Sequence, residues 1–101
     1  TRRLLAFYGS TPAYRPVLDQ HGWGELQPRL NAMSKQGQWA QMADLVSDEM
    51  LTTIAACGTP AQIAAQVRER AEAAGGAKAV CLYQPGPIAV DMLAEIVDAL
   101  A

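Results

Sequence analysis

The segment that most limits the fold is Ala79-Val80-Cys81-Leu82, a continuous apolar run shortly after Gly75-Gly76. Such a run between breakers reads as a strand covered on both faces, here at about 78–83 within Ala77 to Tyr83. A strand cannot stand alone, because its backbone donors and acceptors need partners. The chain offers one partner, Ile54-Ala55-Ala56-Cys57, which reads either as a short parallel strand or as the tail of a helix. Parallel strands belong to sheets covered on both faces, and such sheets need more strands than this chain holds. The expected fold class is therefore an α/β fragment, mostly helical, with one or two short parallel strands.

Elsewhere the apolar spacing is helical. Arg2 to Tyr8 form a first helix, ended by Gly9-Ser10-Thr11-Pro12, and residues 12–16 form a turn or a bent first turn. Val17 to His21 make a short helix that stops at Gly22-Trp23-Gly24. Glu25 to Gln36 follow with Leu26, Leu30 and Met33 on one face and Gly37 just past the end. Gln38 to Val46 turn Trp39, Met42, Ala43 and Val46 inward. Ser47 and Asp48 cap a turn that carries Met50, Leu51 and Ile54. Thr59-Pro60-Ala61-Gln62 is a capping box. The helix it opens runs to about Ala74, with Ile63, Val67, Ala71 and Ala74 inward and Arg68, Glu69, Arg70 and Glu72 outward. After the loop Gln84-Pro85-Gly86-Pro87, a last helix from Ile88 to Leu100 puts Ile88, Met92, Leu93, Ile96, Val97 and Leu100 on its core side. Arg2 and Arg3 sit in a first turn with no cap before them, where the helix dipole disfavours cations. The chain therefore reads as cut from something longer. The two arginines are expected to be solvated or to pair with a part of the parent protein.

Composition narrows the function classes. Of 101 residues, 19 are alanine, while Leu, Ile, Val and Phe together number 21, so the core is thin. A net charge of −2 with eight Lys and Arg argues against a nucleic-acid surface. No apolar stretch is long enough to span a membrane, and no secretory signal pattern is present. His21 is the single histidine, and Cys57 and Cys81 fall in no metal-ligand spacing, so no metal site is expected. Both cysteines lie in apolar surroundings and read as buried reduced thiols, which points to a cytoplasmic protein.

The stretches RRLLAFYGSTPAYRPVLDQHGW (2–23), GQWAQM (37–42) and DEML (48–51), with Gly58-Thr59-Pro60, resemble the C-terminal part of luciferase-like monooxygenases, closest to the actinobacterial deazaflavin-dependent oxidoreductases. The resemblance implies the C-terminal portion of a TIM (β/α)8 barrel. Residues 1–53 would be a helical insertion segment and 54–101 the last strand–helix units. It also implies a cofactor in the parent protein, the deazaflavin coenzyme F-420 or FMN, with none bound by this chain alone.

On that template the loops after the last two strands are candidate phosphate contacts, with Gly58 and Thr59 presenting helix-start N–H groups to the cofactor. Thr59 capping its own helix explains the same residues without a ligand. Tyr14, His21 and Trp23 fall near the barrel mouth and become candidate substrate contacts, against the alternative that they pack short helices together. No catalytic residue is assigned. Asp48 and Glu49 point about 100° apart on a helix and are no acid–base pair. The leading reading is a C-terminal fragment of a flavin- or deazaflavin-dependent oxidoreductase, inactive alone. The alternative is an oligomeric helical interaction module without catalysis. Either way, the sticky surface left by a thin core predicts self-association.

Overall fold

Frequent Gly and Pro stops cut the chain into short helices. The computed structural model describes residues 1–79, 81 and 87–101. Its helices are α1 (Arg2–Ser10), a 3-10 turn (Pro12–Tyr14), α2 (Arg15–Gln20), α3 (Leu26–Lys35), α4 (Trp39–Asp44), α5 (Asp48–Ile54), α6 (Pro60–Ala73) and α7 (Val90–Leu100). They divide into two compact units, Thr1–Leu51 and Thr52–Ala101.

The first unit holds a true core. Ala6, Leu18, Leu30, Met42, Val46 and Met50 are buried together, with Leu5, Trp23, Leu26, Met33 and Leu45 packed against them. Gly9 lies inside α1 rather than ending it, and the reason is space. A Cβ there would sit 3.0 Å from Leu30 Cδ1, so glycine lets α1 and α3 approach closely. The end of α1 is secured by polar side chains. Gln27 Nε2 and Asn31 Nδ2, one turn apart on α3, both donate to the Ser10 carbonyl, at 3.0 and 3.1 Å. Ser47 Oγ accepts from the Met50 amide at 3.1 Å and caps α5 as its sequence position predicts. Arg2, partly exposed, finds its partners within this chain: its guanidinium donates to the Val46 carbonyl and pairs with Asp48.

The second unit pairs α6 with α7, and among its described residues the buried hydrophobic ones are Ala64 and Ile96. Here the expected sheet is overturned. Among the described residues there is no strand: Ile54 closes α5, and Ala55–Cys57 are irregular. The predicted second strand falls partly on Val80, Leu82 and Tyr83, outside the described residues, while Ala79 and Cys81 are not in a strand. The loop prediction at Gln84–Pro87 lies largely outside them too.

The physical reason is visible on α6. Gln66 Oε1 accepts from the Cys57 amide at 3.2 Å, and its Nε2 donates to the Cys57 carbonyl at 2.7 Å. A side-chain amide thus occupies both groups that a neighbouring strand would have used. One turn further on, Arg70 donates to the carbonyls of Thr52, Thr53, Ile54 and Ala55 at 3.1–3.4 Å. Arg70 is exposed, as the outer stripe predicts, yet its guanidinium is tied to these carbonyls. The α/β assignment, with its portion of a TIM (β/α)8 barrel, gives way to an all-helical arrangement among the described residues.

Three smaller expectations also change. Trp39, expected in the core, is 45% exposed. Val97 on α7 is half-exposed, whereas Ile96 is buried. Both cysteines are free as expected, but Cys57 is only partly buried and Cys81 is exposed.

Replacing Leu30, wholly buried, with Ala should cost about 2–5 kcal/mol in urea unfolding followed by circular dichroism. Gln66→Ala strands two backbone groups and should cost about 1–3 kcal/mol, with faster hydrogen exchange at the Cys57 amide.

Candidate functional site

The end of α2 builds the most distinctive local geometry. The Trp23 amide donates to the Leu18 carbonyl at 2.8 Å and the Gly22 amide to the Asp19 carbonyl at 3.1 Å. This double closure needs a left-handed residue between His21 and Trp23, and Gly22 supplies it at φ 77°. The turn lays the two rings on one another, with centroids 4.6 Å apart and planes inclined by 21°. His21 is exposed, while Trp23 is partly buried and packs against the core. The result is an imidazole held on an anchored indole, with ring nitrogens able to donate or accept a proton. Beside it Arg15 lies between two carboxylates, 3.7 Å from Asp19 and 3.6 Å from Glu25.

Tyr14 does not join this pair. Its ring meets Tyr8 edge-on at 5.3 Å, Tyr8 neighbours Phe7 at 5.6 Å, and Phe7 neighbours Trp39 at 6.1 Å. Four rings thus run in a continuous exposed row across α1, the 3-10 turn and α4. Sequence reasoning missed Phe7, Tyr8 and Trp39 as surface residues. A signal was present: adjacent rings on a helix diverge by about 100°, so Phe7 and Tyr8 cannot both face one narrow core.

Gly58 and Thr59 stand in the second unit at the start of α6. The capping box forms in full, with Thr59 Oγ1 accepting from the Gln62 amide at 3.3 Å and Gln62 Oε1 accepting from the Thr59 amide at 2.9 Å. The Ile63 amide is taken by the Thr59 carbonyl at 2.9 Å, and Pro60 has no N–H. The Ala61 amide is the first-turn donor that the box leaves unengaged. Thr59 therefore spends its amide, its hydroxyl and its carbonyl on the helix start. Among the described residues, no group of three or more His, Cys, Asp or Glu gathers to hold a metal. Among the described residues no helix is long and apolar enough to cross a membrane.

A sequence model of the luciferase-like monooxygenases matches residues 1–78. The chain belongs to the luciferase-like monooxygenase family. The match takes in all of the first unit and α6, and with them every candidate residue named above. Among curated proteins, uncharacterized proteins of Mycobacterium bovis and Mycobacterium tuberculosis are each 54% identical over 72 residues, 71% of this chain. The matched region is 21% of their length, so the chain spans about a fifth of the length of the curated relatives it matches. No solved structure matches it.

Gly58 holds φ 130°, and a Cβ added there would lie 2.4 Å from Gln62 Oε1. Gly58→Ala should therefore break the capping box and destabilise α6 by about 1–2 kcal/mol, with Thr59→Ala showing a similar loss in thermal unfolding.

Proposed function

We propose that this chain is a C-terminal segment of a flavin- or deazaflavin-dependent oxidoreductase, and that it serves substrate positioning rather than catalysis on its own. The supporting observation is the His21–Trp23 stack, which lies inside the region matched by the family and presents a polar ring edge to solvent. In enzymes of this kind the cofactor ring carries the hydride or oxygen chemistry, and the protein binds and orients. The anchored indole would set the position of His21, which would hold or release a proton at a substrate oxygen. Tyr14 would contribute from the separate ring row, through its hydroxyl. Gly58 and Thr59 would stand at the start of α6 as contacts for a phosphate of coenzyme F-420 or FMN, with the Thr59 amide already taken by Gln62.

Titrating the 101-residue chain with FMN and with the deazaflavin, followed by fluorescence, should give no measurable binding. Micromolar binding would place a complete pocket within the chain and overturn the proposal. In a family-length protein carrying this segment, His21→Ala and Trp23→Ala should lower turnover by about a hundredfold while the fold is kept. Normal activity per folded molecule would return both residues to packing. Should the family-length protein show no cofactor-dependent turnover at all, the non-catalytic module would be the better reading.

A further inference from the structure

His21 and Trp23 are held by different parts of the first unit. The indole packs against the core, whereas His21 directly follows α2, a helix of six residues and so under two turns. A helix that short is marginal without outside ties. Whatever fixes the end of α2 against the residues after Trp23 therefore also fixes the imidazole on the indole.

One side chain reaches both sides of the turn. Arg15, the first residue of α2, meets Asp19 through Nε at 3.7 Å and Glu25 through Nη2 at 3.6 Å. The two carboxylates flank residues 21–24, one before the turn and one after it. Each pair is exposed and weak alone, but ordering one guanidinium serves both. Asp19 also closes the turn, since its carbonyl accepts from the Gly22 amide. Gly24 is buried, and a Cβ there would lie 1.7 Å from Asp19 Oδ1, the same oxygen that faces Arg15. Its φ is not positive, so glycine is needed here for room. A larger residue would push that carboxylate from its place.

We propose that Arg15 is a strap across the turn between α2 and α3, and that it acts with Asp19, Gly24 and Glu25 to position the His21 ring on Trp23. These are positioning residues, which act through the imidazole. Their part in turnover rests on the reading of His21 as a substrate contact. Their part in holding the stack does not.

Because His21 is the single histidine, its ring protons give unmistakable NMR signals in the 101-residue chain. Stacking on an indole moves them upfield, and the urea-unfolded chain supplies their unstacked position. The spectra are taken at alkaline pH, where the imidazole is neutral in every variant and the three charges of the strap are kept. Arg15→Met should remove about half or more of the upfield displacement, and Glu25→Gln a smaller part. Arg15→Lys keeps the charge without the fork and should fall between Arg15→Met and the unaltered chain. Gly24→Ala should also lose displacement, by moving the Asp19 carboxylate. Circular dichroism checks that helix content is kept; if Gly24→Ala unfolds, the charge variants still decide the matter. Full displacement in Arg15→Met overturns the proposal, and so does an Arg15→Lys variant as disturbed as Arg15→Met. In a family-length protein carrying this segment, Arg15→Met should lower kcat about threefold to tenfold with KM little changed. If His21→Ala leaves turnover untouched there, the reading of His21 fails and the NMR result alone decides the strap. If His21→Ala lowers turnover and Arg15→Met does not, the positioning role is overturned.

Discussion

A chain of short helices has a recurrent physical problem: each helix ends on carbonyls that have no partner within it. This protein answers it with local backbone amides at most helix ends and, at four places, with side-chain donors reaching from another part of the chain. Gln27 and Asn31 take the Ser10 carbonyl that closes α1. Arg2 takes the Val46 carbonyl just beyond α4. Arg70 spreads over the last turn of α5, and Arg68 reaches the Ala99 carbonyl near the end of α7. Three of the six arginines are spent in this way, and the helix positions of the donors decide which ends are held.

That arrangement accounts for the difference between the two units. In the first, the same contacts frame a core with Leu30, Met42 and Val46 fully buried, so polar ties and apolar burial reinforce each other. In the second, burial among the described residues is slight. Gln62, Gln66 and Arg70 recur every four residues along α6 and hold, in turn, Thr59, Cys57 and the end of α5. Hydrogen bonds to that line do for the segment before α6 what a sheet neighbour would otherwise have done. Their number suits an alanine-rich sequence whose helices have little apolar area to bury.

The same shortage of burial leaves rings outside. α1 turns Ala6 and Gly9 inward, with Gly9 close against Leu30 of α3, and leaves Phe7 and Tyr8 outward. The His21–Trp23 stack differs, since the indole has one part against the core and a face against His21. Membership of the luciferase-like monooxygenases rests on the sequence match across residues 1–78, while the ring geometry suggests what that stretch contributes.

Much of this was legible from residues alone. The capping box at Thr59–Gln62, the turn at Gly37, the inward Leu30 and Met42 and the family follow from local spacing and short motifs, whose physics acts within a few residues. The missing strand, the outward Trp39 and the carbonyl-binding roles of Arg2, Gln66 and Arg70 did not. Each depends on which groups meet across nine to forty-four positions, and periodicity within a helix carries no record of that. The sequence by itself determined that the chain is cut into short helices, where α6 begins, and which family the chain belongs to. The tertiary structure alone decided how the backbone groups between those helices are satisfied: a backbone amide or carbonyl is chemically alike at nearly every residue, and only spatial proximity selects its partner.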